Sequence, residues 1–356
     1  MNERIETLVR KMKIFNIEAG LLTNPISIMY YTYSTFKRGS LLVSPVGAYL
    51  FVNYNELVYA KEHIHCGIEV LEAKNYPDII KDIIGEACLC CEKHYISEYE
   101  FNYLANRVNV REDYAIDFLV ENQRSIKDAD EIKKLTLAQD ITEKSIDQLT
   151  TRIQPGMTEK EVAHLLKRIM MDNGSDGESF DTTVSSGRNT RCPHWIPTDK
   201  KIERGDLIMI DTGSTIDGYH SDMTRMLSIG EPSKEVKSLY NHVYNLFKTI
   251  LMCSKDGASI ETIYDKYINY INVNIDDPTY VTYFNAGHGV GLDIHETPSL
   301  SPTYRKFYSL EEDMVLAIEP AIYTDTFGIR IENMVLITSD SYKMINKSNY
   351  DNIIVI

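Results

Sequence analysis

The sequence predicts an α/β domain over residues 1–124, then an α+β domain over residues 125–356 with an internal pseudo-two-fold repeat. Three observations lead there. Helix and strand signals alternate through the first third of the chain, as in an α/β unit. A charged, polar stretch over residues 121–127 marks a boundary. Beyond it the order helix-helix-strands occurs twice, and each half carries a pair of acids set in apolar strands.

Taken in order, the N-terminal signals are short. Residues 5–16 place Ile5, Leu8, Val9 and Met12 at helical spacing. Strand-like runs follow at residues 19–23, 40–44 and 48–53, with Pro45-Val46-Gly47 as the turn between the last two. A helix is expected from near Asn55, and a strand-helix pair across residues 94–106. From Asp128 a long helix runs to about Thr151, with Ile132, Leu135, Ala138, Ile141 and Leu149 on one side, and Pro155-Gly156 stops it. Thr158-x-x-Glu161 has capping-box spacing and opens a second helix, with Val162, Leu165, Leu166 and Ile169 inward and Gly174 as its stop. Helices over residues 233–254 and 259–272 repeat the pair, and strands over 314–319, 329–338 and 353–356 close the chain.

The composition excludes several classes. With 43% apolar and 25% charged residues the chain is an ordinary globular protein. No apolar run reaches membrane-spanning length, and Met1-Asn2-Glu3-Arg4 leads into a charged amphipathic helix instead of a signal sequence. The expectation is a cytoplasmic protein that binds no membrane. A net charge of −15 argues against a nucleic-acid surface. Six cysteines are sparse for this length, so reduced thiols are expected. Cys88 and Cys91 have Cys-x-x-Cys spacing and His94 lies close by, but no second pair completes a zinc site; a soft-metal site there is the lesser reading.

Asp211 ends the apolar run Leu207-Ile208-Met209-Ile210, and Asp217-Gly218 is a favoured two-residue hairpin turn. Folding the chain back at that turn pairs residue 211 with Thr224 and sets Asp222 one diagonal step away on the same face. Diagonal neighbours are roughly 7–8 Å apart, near enough for two short acids to share an ion. The bland alternative is two ordinary acids beside a turn. A second segment repeats the arrangement. Glu319 ends the strand that starts at Met314, and Glu332 is embedded among Ile329, Ile331, Val335 and Leu336. A turn at Asp325-Thr326 puts the two glutamates opposite each other, although Pro320 makes this register the weaker one. Carboxylates in strand cores are rare unless paired or metal-bound.

Between the acid pairs lies Gly287-His288-Gly289-Val290-Gly291, then His295-Glu296. Glycines around His288 allow the close backbone approach that a ligand at a crowded centre needs. A lone histidine is more often structural, but four strand-borne acids reverse that preference. His194 adds an imidazole in the exposed loop that begins at Ser185; the other histidines lack such company. Four carboxylates and one imidazole suit Mn²⁺, Co²⁺ or Fe²⁺ better than a thiolate-bound structural zinc.

Asp211-Thr212-Gly213, Ser221-Asp222-Met223-Thr224-Arg225, Gly287-His288-Gly289-Val290-Gly291, His295-Glu296, Ile318-Glu319-Pro320 and Gly328-Ile329-Arg330-Ile331-Glu332 occur in that order. Together they resemble the pita-bread metallopeptidases, in the Xaa-Pro dipeptidase (prolidase) and Xaa-Pro aminopeptidase (aminopeptidase P) branch. The match covers residues 128–356, and the preceding α/β portion is similar to that branch's creatinase-type N-terminal domain. The resemblance implies two divalent ions, Mn²⁺ first, with Co²⁺, Fe²⁺ or Zn²⁺ as alternatives. It implies that Asp211 holds one ion, His288 and Glu319 the other, and that Asp222 and Glu332 bridge both. Filled ligand positions separate the chain from creatinase itself.

The implied chemistry is attack by a metal-activated water on a peptide carbonyl. Glu319 corresponds to the proton shuttle, and His194 and His295 to histidines that bind substrate and stabilise the tetrahedral intermediate. Thr224 and Arg330 correspond to groups that hold the carboxylates in place. Departures from the pattern are Trp195, which follows His194 and alters the pocket wall or simply packs, Ala321 for glycine, and Ser299 where several relatives carry arginine. The implied substrates are small peptides with proline second, cleaved by a protein that relatives suggest is a homodimer. The rival readings are a non-catalytic peptide- or partner-binding protein on the same fold, and a hydrolase of non-peptide amides or esters.

Overall fold

The structure, a computed structural model, describes residues 1–111, 113–275, 286–301, 309–348 and 350–356. The chain divides into two compact units, Met1–Arg124 and Ser125–Ile356. Among the described residues no helix is long and apolar enough to cross a membrane.

The first unit is built on a six-stranded mixed sheet in the order Glu69–Glu72, Gly47–Val52, Ser40–Ser44, Ala19–Leu22, Leu89–Cys91, Val110–Arg111. The Pro45-Val46 turn joins its antiparallel central strands, with Ser44 opposite Gly47. Helix starts follow the caps in the sequence: the side chains of Asn2, Asn24 and Ser97 each accept a backbone N–H of the first turn. One expectation needs correction. The strand near His94 lies before it, at Leu89–Cys91, because the Cys-rich run is the apolar stretch that the sheet buries. Residues 121–125 finish the helix Ala115–Ser125, and its polar residues Gln123, Arg124 and Ser125 are buried. The soft-metal reading also fails here. Cys91 is buried in the sheet, burial pushes its thiol up, and His94 Nδ1 is engaged by Asp117 Oδ1 at 3.1 Å.

In the second unit the helix pair Ala129–Thr150 and Glu159–Asp172 is matched by Lys234–Leu251 and Ile260–Asn274. Both helices of the first pair start with complete capping boxes, from Asp128 with Glu131 and from Thr158 with Glu161. The first pair shares a core with one sheet, and the second pair shares a core with residues of both sheets. One sheet has the order Ile354–Val355, Met223–Ser228, Leu207–Thr212, Thr183–Ser186; the other runs Glu296–Ser299, Gly287–Gly289, Val315–Ile318, Asn333–Ile337, Tyr342–Met344. Side chains alternate across the first sheet as the pleat requires. Ile208 and Ile210 join the core under the first helix pair, while Leu207 and Met209 join the core under the second. Asp211 continues the second set, so its side chain faces the space between the two halves.

Both hairpins have the registers expected from their turns. Thr224 stands opposite Asp211, and the Ser214–Ile216 and Tyr219–His220 strands continue the same register to a turn at Asp217 and Gly218, with φ of 50° and 81°. Positive φ at both central residues is the type I′ requirement that Asp-Gly meets. In the second hairpin Ile318 faces Asn333 and Ala321 faces Arg330, which is one register carried past Pro320. The proline interrupts the ladder without shifting it.

Candidate metal centre

The acid pairs come together at the floor of a cavity of about 390 Å³. Asp222, His288 and Glu332 are buried, and one ligand atom from each lies within 4.8 Å of the others; this is the sole such group found among the described residues. His288 Nε2 is 3.5 Å from Asp222 Oδ2 and 3.5 Å from Glu319 Oε1. Its Nδ1 lies 3.0 Å from the Gly289 carbonyl, an acceptor only, so Nδ1 carries the proton. That tautomer turns the Nε2 lone pair toward the acids, as metal ligation needs. Asp211 completes the floor. Gly213 lets the strands close between the two aspartates: a Cβ there would stand 1.8 Å from the Ser221 carbonyl oxygen.

The electrostatics are those of crowded, buried carboxylates. Burial, then Glu332, Asp211 and Glu319, raise the Asp222 carboxyl well above the usual range. Burial, then Asp211 and Glu319, do the same to Glu332. Glu319 is pushed up to about 7, chiefly by burial. Burial drives His288 down, toward its neutral form. Among the described residues the one buried cation lining the cavity is Arg330. Its Nη2 pairs with Asp211 Oδ2, Nε donates to Thr224 Oγ1 at 2.9 Å and Nη1 to the Tyr323 hydroxyl at 3.1 Å. Burial alone would lower the Arg330 pKa, but Asp211 and Tyr323 outweigh it. Thr224 in turn donates to Glu332 Oε2 at 2.7 Å.

These donors fit divalent cations. Asp211 Oδ1 is buried and has no hydrogen-bond partner among the described residues. A carboxylate oxygen desolvated and left unpaired is costly unless a cation meets it. Repulsion among Asp222, Glu319 and Glu332 points the same way, and the set of oxygens plus one neutral imidazole suits a hard or borderline ion.

Of the sequence-predicted residues, His194 and His295 line the cavity with the five proposed ligands. The His295 ring stands edge-on to His288, centroids 4.4 Å apart. Enclosure of its inner face, then the neighbouring His288 ring, lower its pKa. Of the two readings of Trp195, an altered pocket wall or simple packing, the geometry fits the second. The side chain does not line the cavity; its indole N–H donates to Glu159 Oε2 at 2.9 Å, so it anchors the loop behind His194 instead of forming the pocket wall. Sequence reasoning missed Tyr323, whose hydroxyl holds Arg330, and the apolar lining residues Phe180 and Ile294. Tyr323 had a usable signal: it lies two residues beyond Ala321 on the same strand, and both line the cavity. Phe180 and Ile294 lie outside regular elements and had none.

Two family descriptions match the chain: Metallopeptidase family M24 over residues 133–339 and Creatinase/Prolidase N-terminal domain over residues 4–126. A Xaa-Pro dipeptidase of Pyrococcus furiosus is 32% identical, the alignment covering 98% of this chain and 99% of that one. Among solved structures, a Xaa-Pro dipeptidase from Bacillus anthracis superposes with a TM-score of 0.91 at 29% identity, covering 99% of each chain. An X-Pro aminopeptidase from Thermotoga maritima superposes with a TM-score of 0.85 at 29% identity, covering 98% of this chain and 100% of that one. The fold is therefore a creatinase-type N-terminal domain joined to a pita-bread domain, and the chain belongs to metallopeptidase family M24.

Proposed function

We propose that this protein is a dinuclear-metal exopeptidase that hydrolyses the bond between an N-terminal residue and a following proline. The observation that carries the reading is the convergence of Asp211, Asp222, His288, Glu319 and Glu332 on one cavity floor, with an orphaned carboxylate oxygen among them. These five side chains would hold two divalent ions, Asp222 and Glu332 shared between them, and Mn²⁺ is the ion we assign first. When bound, the ions activate a water and polarise the scissile carbonyl.

The rest is done by the chain itself. Glu319, which lines the cavity 3.5 Å from His288 Nε2, takes the proton of the attacking water at one carboxylate oxygen and delivers it to the departing proline nitrogen. The His194 and His295 rings stand at the cavity wall, where an N–H can donate to the substrate carbonyl and to the oxyanion that replaces it. Thr224 and Arg330 keep the Glu332 and Asp211 carboxylates aimed at the floor. Phe180, Ile294 and Pro193 give an apolar wall that suits a pyrrolidine ring. Because a proline imide nitrogen has no N–H, a peptidase that relies on that donor handles the bond poorly, and a pocket of this kind replaces it.

Small peptides are the substrate class, and we further assign a homodimer and a cytoplasmic location; all six cysteines are free, which fits a reducing compartment. Assay of the Mn²⁺-loaded protein on Ala-Pro and on Ala-Pro-Ala tests the reading and separates dipeptidase from aminopeptidase action. Cleavage of neither, with metal bound, refutes the proline-directed activity.

A further inference from the structure

The loop that presents His194 is gripped from outside the cavity by one carboxylate. Glu159 is the first residue of the helix Glu159–Asp172 and is fully buried. Its Oε1 accepts the Ser186 backbone N–H at 2.8 Å, the Ser186 hydroxyl at 2.8 Å and the Asn189 amide at 2.9 Å. Its Oε2 accepts the Trp195 indole N–H at 2.9 Å, the Thr198 backbone N–H at 3.1 Å and the Thr198 hydroxyl at 2.7 Å. One oxygen therefore holds the entry to the 186–198 loop and the other holds its exit.

A first-turn acid satisfies the helix dipole without help from a distant loop, so the dipole explains where Glu159 sits but not its six donors. Charge-assisted bonds to a buried carboxylate are among the stronger ones available, and every lone-pair direction of this carboxylate is used. Burial would favour the neutral acid, yet the donors from Asn189, Trp195, Thr198 and Ser186 outweigh it and keep the carboxyl below its usual pKa. Between the two anchor points the loop sends the Pro193 carbonyl to Arg330 Nη1, at 3.4 Å, and places His194 in the cavity wall. Among the described residues no hydrogen bond orients the His194 ring itself. Its placement rests on the loop.

We propose that Glu159 is a positioning residue for the peptidase reaction: its carboxylate staples both ends of the 186–198 loop and thereby sets where His194 meets the substrate. The proposal rests on the reading of His194 as a substrate-contacting group. Trp195 is the single tryptophan of the chain, so its emission reports the staple directly and independently of activity.

The test is Glu159→Gln, which keeps shape but turns an amide N–H₂ toward three donors. With far-UV circular dichroism unchanged, Trp195 emission should shift to the red and become more accessible to acrylamide. On the Xaa-Pro substrate, kcat should fall about 10–100-fold while KM moves less than about threefold. In a His194→Ala background the same substitution should change kcat by less than about twofold, because the group being positioned is gone. Thr198→Val, which removes one donor at the loop exit, should show the same pattern on a smaller scale and replaces Glu159→Gln if that variant does not fold. Unchanged Trp195 emission overturns the staple. An equal loss of kcat in both backgrounds, or a His194→Ala rate equal to wild type, overturns the positioning role. If the wild type cleaves no Xaa-Pro peptide, the proposed function fails and the positioning role with it, while the Trp195 signal still decides whether Glu159 orders the loop.

Discussion

Thr224→Val isolates the coupling between the acid floor and the groups behind it. The Thr224 hydroxyl donates to Glu332 Oε2 at 2.7 Å and accepts from Arg330 Nε at 2.9 Å, and the residue is buried. Valine has nearly the same volume, so packing is preserved and only the hydroxyl is lost. Two hydrogen bonds to charged partners disappear, each worth about 1.5–3 kcal/mol. Arg330 keeps Asp211, Tyr323 and the Pro193 carbonyl for its other nitrogens, so the change strands its Nε–H and the Glu332 Oε2 that Thr224 held. The net loss is then about 3–5 kcal/mol. For a unit of this size each kcal/mol lowers Tm by about 2–4 °C, which predicts a fall of roughly 6–20 °C by calorimetry. Loss of the Glu332 support should also weaken Mn²⁺ binding about 10–100-fold by titration calorimetry. Thr224→Ser keeps the hydroxyl and should recover most of both effects. A valine variant with wild-type Tm and wild-type Mn²⁺ affinity would refute the coupling.

Three further perturbations follow from buried charge. In the metal-free protein Asp222, Glu332 and Glu319 have raised pKa values, so the folded state holds protons that the unfolded chain releases. For Glu319 that stabilisation is fully present below pH 4.5 and is lost as pH rises through about 7, about 3 kcal/mol in all. Chelated protein should therefore lose Tm relative to Mn²⁺-loaded protein between pH 5 and pH 8, with proton release on metal binding near pH 7; a gap that narrows with pH contradicts this. In the N-terminal unit Glu92 is raised to about 7 by burial, against the donors from Ser27, Asn24 and Thr23. Its contribution has the same sign, so Glu92→Gln should gain stability relative to wild type between pH 5 and pH 8, up to about 3 kcal/mol in urea titrations. A pH-independent difference rules it out. The buried Lys127–Glu296 pair, 3.1 Å apart, lies beside His295. Lys127→Met should cost about 3–5 kcal/mol by leaving a buried charge, and Lys127→Met with Glu296→Gln should recover much of it; additive losses would show the pair is not coupled.

The parts of the site legible in the sequence are those that local geometry determines. Asp217-Gly218 dictates a type I′ turn, and a two-residue turn fixes which residues face each other for the length of the ladder. That is why Thr224 could be set against Asp211 without any long-range information. The same counting survived Pro320, because the proline falls between two ladders: its own carbonyl accepts the Ile331 N–H at 3.3 Å, and the register resumes at Ala321 and Arg330. Glu159 was not legible. Its six partners belong to a loop 27 to 39 residues away, and from the sequence it is one more acid in a helix first turn. The burial of the polar residues that end the helix Ala115–Ser125 was not legible either, because their partners lie far along the chain, as with Gln123, whose amide donates to the Arg4 carbonyl at 2.8 Å.

The acids also share a feature that explains how four carboxylates come to face one point. Asp222, Glu319 and Glu332 each fall where a strand is interrupted, and Asp211 is one residue from the end of its own. A continuous ladder would send successive side chains to opposite faces and leave the acids on straight, separate ribbons. Breaks at these positions free the backbone to bend inward, at the cost of unpaired N–H and C=O groups worth about 1–3 kcal/mol each when buried. The structure shows the replacements. The Asp222 N–H donates to Met334 Sδ at 3.3 Å, and the Glu319 N–H to the Ala286 carbonyl at 3.0 Å. Buried Arg225 supplies the largest repair: Nη1 donates to the Thr224 carbonyl at 3.0 Å and to the Glu332 carbonyl at 2.9 Å, and Nη2 to Asn333 Oδ1 at 2.8 Å. One guanidinium thus spans the two half-sites from behind while the acids meet in front. Burial lowers its pKa, and Glu143, Tyr240 and Glu332 oppose that. Arg225 thus ties the carbonyl at Thr224, in the first hairpin, to the carbonyl at the Glu332 break in the second.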